Sequence, residues 1–169
     1  ARLLDGKVTL NRQWQPFEEI IGSSTRLLAG ILANRILEVN VPRDLPLVCF
    51  DAVLMERVVC NLLENAVKYS TTGAKIVLRV SADHGALEFS VWNAGSSFPA
   101  APNDEIFEIF VRGEMNPAVS GSGIGLAICK AVVAAHEGEI IAENRDGGAA
   151  VRVRLPLGVP PEVQEEIPE

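Results

Sequence analysis

The stretch NLLENAVKY, residues 61–69, closes an amphipathic run that begins at Asp51. Met55, Val58, Val59, Leu62 and Ala66 recur at the three- and four-residue spacing of a helix that buries one face. Asn61, Asn65 and Lys68 fall beside that apolar stripe within an arc of roughly 60°, counting about 100° per residue. Two amide side chains and an ammonium group on one line suit a Mg²⁺–polyphosphate, because carbonyl oxygens satisfy a hard cation and Lys satisfies phosphate. Tyr69, next along, offers a surface to a flat ring. A solvated helix face is the plainer reading of the same residues. The two Asn residues weigh slightly against it, since Asn costs propensity inside a helix.

Working outward, Asp51 is predicted to cap this helix, which runs to Tyr69. Upstream, Val8 to Trp14 reads as a strand, and Pro16 opens a first helix with Glu18 and Glu19 in its first turn. Phe17, Ile20, Ile21, Leu27, Leu28, Ile31 and Leu32 form the apolar face of that helix. Ile36 to Val41 and Leu47 to Phe50 read as strands on either side of the turn-rich PRDLP. Downstream, Ala74 to Ala82 and Ala86 to Asn93 form a hairpin around Asp83-His84-Gly85. An irregular stretch, Ala94 to Ser122, is broken by the short helical piece EIFEIF. A third helix follows from about Gly123 to His136, then a hairpin of Glu139 to Asn144 and Ala149 to Leu155 around Asp146-Gly147-Gly148. The order implies an α/β (α+β) two-layer sandwich, with three helices on one face of a mixed, largely antiparallel sheet. Residues 1–157 make one domain, and the Pro- and Glu-rich tail 158–169 is expected to be disordered.

Composition excludes several function classes. A chain of 169 residues buries a full core. Its formal net charge of -7 leaves no basic stripe for nucleic acid. No apolar run reaches the length of a membrane span and no signal peptide opens the chain, so no direct membrane contact is expected. Cys49, Cys60 and Cys129 have apolar neighbours and no ligand spacing, which predicts buried reduced thiols rather than a metal centre.

Two further segments are polar where the surrounding pattern is apolar. In GSGIGLA, residues 121–127, Gly121, Gly123 and Gly125 lead into an apolar helix, and glycines there let backbone N–H groups approach phosphate. A Rossmann turn needs a strand just before it, and Asn116-Pro117-Ala118-Val119-Ser120 is a poor one. A loop with a helix cap fits the glycines equally well. In VWNAGSSFP, residues 91–99, the alternation of Leu87, Phe89 and Val91 breaks at Asn93, Gly95, Ser96 and Ser97. Asn93 is there either a turn former or a reader of a ligand.

Taken in order, NLLENAVKY, WNAGSSFP, EIFEIFVRG, GSGIGLAI and NRDGGAAVRV resemble the motifs of the ATP-binding domain of bacterial sensor histidine kinases over nearly the whole chain. The similarity is greatest to the C-terminal part of the Kdp potassium-sensing kinases. It implies a GHKL-type sandwich that holds ATP between the second helix and a mobile lid. Carried over by motif, Asn61 and Asn65 are the N box, with Asn65 the direct Mg²⁺ ligand. Lys68 faces phosphate and Tyr69 the adenine side, while Phe107 and Phe110 anchor the lid. Arg112 approaches the γ-phosphate or a partner helix, with a solvated arginine as the competing reading, and Gly121, Gly123, Gly125 and Leu126 line the phosphate side. Gly147 and Gly148 match the last glycine motif, and they also suit a simple hairpin turn.

The implied reaction is transfer of the ATP γ-phosphoryl group to a histidine on a separate dimerisation domain, with Asn61, Lys68 and Arg112 as the catalytic set and a response regulator downstream. ATPases of the gyrase and Hsp90 type carry a Glu where Asn61 stands. An amide has no useful proton-accepting function, so attack by water is poorly promoted. His84 lies in a predicted turn, and His136 is expected at a helix C-terminus, where it favours the dipole; neither is expected to accept phosphate. The resemblance therefore implies a catalytic fragment, monomeric in isolation. Its dimerisation and sensory parts would lie N-terminal to Ala1, in a bacterial inner-membrane protein with this domain in the cytoplasm.

One motif departs from the family. The family pattern D-x-G-x-G-[IVL] is replaced by Asn93-Ala94-Gly95-Ser96-Ser97-Phe98. Asn93 keeps a carbonyl acceptor for the adenine amino group but loses charge assistance, on the order of 1 kcal/mol. Ser97 makes close backbone approach harder, and bulky Phe98 partly fills the pocket. Two readings follow: an ATP-binding kinase domain of reduced affinity or altered base preference, or a degenerate GHKL domain, binding nucleotide weakly or not at all, that serves as an interaction or regulatory module.

Overall fold

Asp51 caps the longest of the described helices: its Oδ1 accepts from the Leu54 N–H at 3.1 Å, satisfying a donor that the helix leaves open. The computed structural model describes residues 9–95 and 124–159. Along them lie β1 (Gln13–Gln15), α1 (Phe17–Leu27), α2 (Ala29–Leu32), β2 (Ile36–Asn40), β3 (Val48–Phe50) and α3 (Ala52–Lys68). β4 (Lys75–Asp83), β5 (Ala86–Ala94), α4 (Ile124–Ala135), β6 (Glu139–Arg145) and β7 (Gly148–Pro156) complete them. The helical piece expected at EIFEIF and the tail from residue 160 lie outside the described residues.

A five-stranded sheet runs in the order β2-β4-β5-β7-β6, with β2–β4 parallel and the other three pairings antiparallel. Both hairpins close through two left-handed residues, His84-Gly85 and Asp146-Gly147, the conformation that two-residue turns require. Ile76, Leu78 and Val80 on β4 and Leu87, Phe89 and Val91 on β5 point to one face and are buried. Met55, Val58, Val59 and Leu62 of α3 and Val132 and Val133 of α4 belong to the same core. The opposite face is polar, and there Arg152 Nη1 meets Glu88 Oε1 at 2.7 Å.

Three local expectations are corrected. Of the strand expected over Val8 to Trp14, Val8 lies outside the described residues and residues 9–12 are not in a strand; β1 is Gln13–Gln15, and with β3 it forms a separate two-stranded sheet. Pro16, lacking an N–H, ends the strand, while Gln15 Nε2 donates to the Phe50 carbonyl at 2.9 Å. The first helix breaks at Leu28 (φ -101, ψ 13), and the one-turn α2 follows, making four helices among the described residues rather than three. On either side of that break Leu27 and Ile31 are 65% and 44% exposed, whereas Phe17, Ile20, Ile21 and Leu32 are buried.

Candidate functional site

α3 carries the amide pair. Asn65 Nδ2 donates to the Asn61 carbonyl one turn back at 2.8 Å, which commits its amino group and leaves Oδ1 as the acceptor. Asn61 Nδ2 donates to the Gly125 carbonyl at 3.1 Å and so ties α3 to the first turn of α4. Lys68, the last residue of α3, is exposed, and Tyr69 follows as the C-cap, half-buried against the core. Burial pushes the Tyr69 phenol up from its ordinary value.

Sequence reasoning missed the residue that finishes this helix. Arg35 donates through Nη2 to the Val67 and Ser70 carbonyls at 3.1 and 3.2 Å, and through Nε to Ser70 Oγ at 2.9 Å. A cation there complements the negative end of the helix dipole. Its distance in sequence from α3 left no local signal.

Gly125 and Leu126 lie inside the first turn of α4. Glycine in a helix costs about 1 kcal/mol, so its presence needs a cause. A Cβ on Gly125 would stand 3.2 Å from both Cγ and Oδ1 of Asn61, so the amide occupies the space a side chain would need. One turn on, the Cys129 thiol is fully buried; burial pushes it up to about 12, against a smaller lowering by its hydrogen bond with Asn61. Cys60 is also raised, mainly by burial. Cys49 and Cys60 are half-buried, so only Cys129 meets the expectation of a fully buried thiol.

Asn93 is 6% exposed and shares the core-facing side of β5 with Phe89 and Val91. It sits in register between Ile76 of β4 and Ala149 of β7, and its Nδ2 donates to the Ala94 carbonyl at 3.4 Å. Gly95 turns the chain after β5 with φ +83. Across from Ala94, a Cβ at Gly148 would run into the Asn93 carbonyl oxygen and the Trp92 ring. Close strand approach accounts for Gly148, and φ +76 accounts for Gly147. Arg112, Phe107, Phe110, Gly121 and Gly123 lie outside the described residues, as do Ser97 and Phe98.

His136 departs from expectation. Its ring is 3% exposed, Nε2 accepts from the Asp51 N–H at 3.1 Å, and Nδ1 donates to the Val132 carbonyl at 2.8 Å. Those partners require the neutral ring, and burial pushes its basicity down. It serves the helix end as a hydrogen-bonding group, not as a cation. His84 is exposed beside Asp83 at 3.2 Å.

Among the described residues no three His, Cys, Asp or Glu side chains gather to hold a metal. A hard cation here would be held by amide oxygen together with a phosphate-bearing ligand, and Asn65 Oδ1 fits that donor set. None of the described helices is long and apolar enough to cross a membrane.

The comparisons with known proteins agree with this layout. The chain is 41% identical over 166 residues to sensor protein KdpD of Escherichia coli (strain K12), covering 98% of this chain and 18% of KdpD. The mycobacterial sensor histidine kinase MprB superposes with a TM-score of 0.72 at 29% identity, over 86% of this chain and 97% of that one. Full-length ShkA, solved in complex with AMPPNP, gives a TM-score of 0.76 over 90% of this chain and 32% of its own; at 24% identity the likeness concerns the fold. The model of the family described as Histidine kinase-, DNA gyrase B-, and HSP90-like ATPase matches residues 50–159, from the strand that precedes the Asp51 cap through α3, the Asn93 strand and α4 to the end of β7. With that match spanning α3, α4 and strands β4 to β7, the chain belongs to the histidine kinase-, DNA gyrase B- and HSP90-like ATPase family.

Proposed function

We propose that this domain is the ATP-binding catalytic domain of a two-component sensor histidine kinase of potassium or osmotic signalling. It would present the ATP γ-phosphoryl group to a histidine on a dimerisation domain outside this chain, with a response regulator as the next acceptor. The observation that carries the reading is the Asn61–Gly125 hydrogen bond, which joins the amide-bearing helix to the glycine segment at 3.1 Å. Asn65 Oδ1 would hold Mg²⁺, which when bound neutralises charge on the polyphosphate, and Lys68 would meet phosphate. Tyr69 and Asn93 would flank the base, with Gly95 turning the chain beside it. By motif, Phe107, Phe110, Arg112, Gly121 and Gly123 complete the site. Asn61 orients Gly125 and offers no proton acceptor, so an external nucleophile is favoured over water.

The reading extends to the whole protein. The chain spans 18% of KdpD, and the parent would be a bacterial inner-membrane protein with this domain, residues 1–157, in the cytoplasm and an acidic tail at 158–169. A second reading, a degenerate module with weak or no nucleotide binding, draws on Asn93 in place of the family Asp. Calorimetric titration with ATP, ADP and GTP, with and without Mg²⁺, separates the two. Mg²⁺-dependent ATP binding that loses its Mg²⁺ dependence in Asn65→Ala is the expected result. No heat from any nucleotide at millimolar concentration, with a folded protein, favours the second reading.

A further inference from the structure

His136 joins two helix ends that lie 85 residues apart in the sequence. Through Nε2 it holds the N–H of Asp51, the N-cap of α3, and through Nδ1 it holds the Val132 carbonyl in the last turn of α4. The chain just before β1 straps the same two helix ends. Asn11 N–H donates to Asp51 Oδ2 at 2.9 Å, and Arg12 Nη2 donates to the Ala135 carbonyl at 2.8 Å.

We propose that His136 is a proton-operated latch between the start of α3 and the end of α4, closed by the neutral ring and opened by protonation at Nε2. A neutral imidazole with its proton on Nδ1 has one lone pair, on Nε2, and the Asp51 N–H occupies it. A proton there sets two donors against each other in a site that is 3% exposed. Two charges act on the ring among the described residues: Arg12 opposes protonation and Asp51 favours it. The Asp51 oxygens already receive Leu54 and Asn11 N–H groups, so a charged ring reaches them only by leaving its present place. Burial lowers the ring below its ordinary value of 6.5. A lowered folded value means that the latch contributes fully above 6.5 and is lost as pH falls through that lowered value.

The two latched helices are the ones joined by Asn61 and Gly125, so an open latch loosens that junction from its far end. His136 is a positioning residue in this scheme, and the effect on nucleotide affinity rests on the ATP-binding reading above. ¹⁵N-histidine NMR of the nucleotide-free protein tests the latch itself, with exposed His84 as the second histidine in the same spectrum. The expected result is an Nδ1–H tautomer at pH 7.5 and a titration below 6.5. An Nε2–H tautomer, or titration at the ordinary value, overturns it. His136→Gln keeps an acceptor oxygen without titrating, so the wild type should lose several degrees more in melting temperature than the variant between about pH 7.5 and 5.5. Superimposable melting curves overturn the latch; where the variant does not fold, the wild-type spectrum decides. Across the pH range in which the spectrum shows His136 to protonate, Mg²⁺–ATP affinity should fall several-fold more in the wild type than in the variant, and equal losses overturn the coupling. Absence of ATP binding at pH 7.5 fails the nucleotide reading, while the spectrum and the melting curves still judge the latch.

Discussion

In the proposed site, Asn93 sets the needs of folding against those of recognition. A hydrogen-bonded amide costs less to bury than a carboxylate, and the position is 6% exposed on the core-facing side of β5. A carboxylate would cost more to bury but would form the stronger, charge-assisted bond to an amino group. Asn93→Asp should therefore tighten ATP binding several-fold, about 1 kcal/mol, while lowering the melting temperature of the nucleotide-free protein. Calorimetry paired with thermal melting checks both signs. An unchanged affinity would move the weak point from Asn93 to Ser97, Phe98 or beyond.

At the scale of elements, the β5–β7 pairing holds the strand that carries Asn93 in place. Gly148 lies opposite Ala94, and the backbone there approaches so closely that a side chain has no room beside the Asn93 carbonyl and the Trp92 ring. Trp92 is itself fixed, with Nε1 donating to the Arg145 carbonyl at 2.7 Å. Gly148→Ala should cost about 1–3 kcal/mol by overpacking. Urea denaturation measures it, and a loss under about 0.5 kcal/mol would show that the pairing can yield. α3 was legible end to end in the sequence, since its apolar stripe, its Asp cap and its length agree. α1 was not: its periodicity continues through Leu28, where the helix breaks, and spacing alone cannot see that Leu27 and Ile31 end in solvent.

Across the whole molecule, three phenylalanines join the layers. Phe17 at the start of α1 lies 5.4 Å from Phe50 of β3 and 5.1 Å from Phe89 of β5, measured between ring centroids. The small sheet, the helical layer and the large sheet thus meet in one aromatic contact, all three rings at most 1% exposed. Phe17→Ala should destabilise by about 3–5 kcal/mol. The prediction is a single cooperative transition shifted to lower denaturant, identical by fluorescence and circular dichroism. Two separate transitions would show instead that the small sheet and α1 unfold on their own.

The sequence alone determined the order of elements, the α3 stripe with its amides, and the hairpins, because these depend on residues a few positions apart. Periodicity, an Asp before a helix and a glycine in a turn act locally. It also exposed the family motifs, since their residue types and order survive without coordinates. Tertiary structure decided which sheet received β1 and β3, why Gly125 stands inside a helix, and why His136 is neutral. Each of those turns on a partner far along the chain: Phe50 for Gln15, Asn61 for Gly125, Asp51 for His136. A backbone carbonyl, an amide or an N–H brought in from 35 to 85 residues away leaves no trace in local spacing. Yet its hydrogen bond or its bulk sets the charge state and the permitted side chain at the place where it arrives.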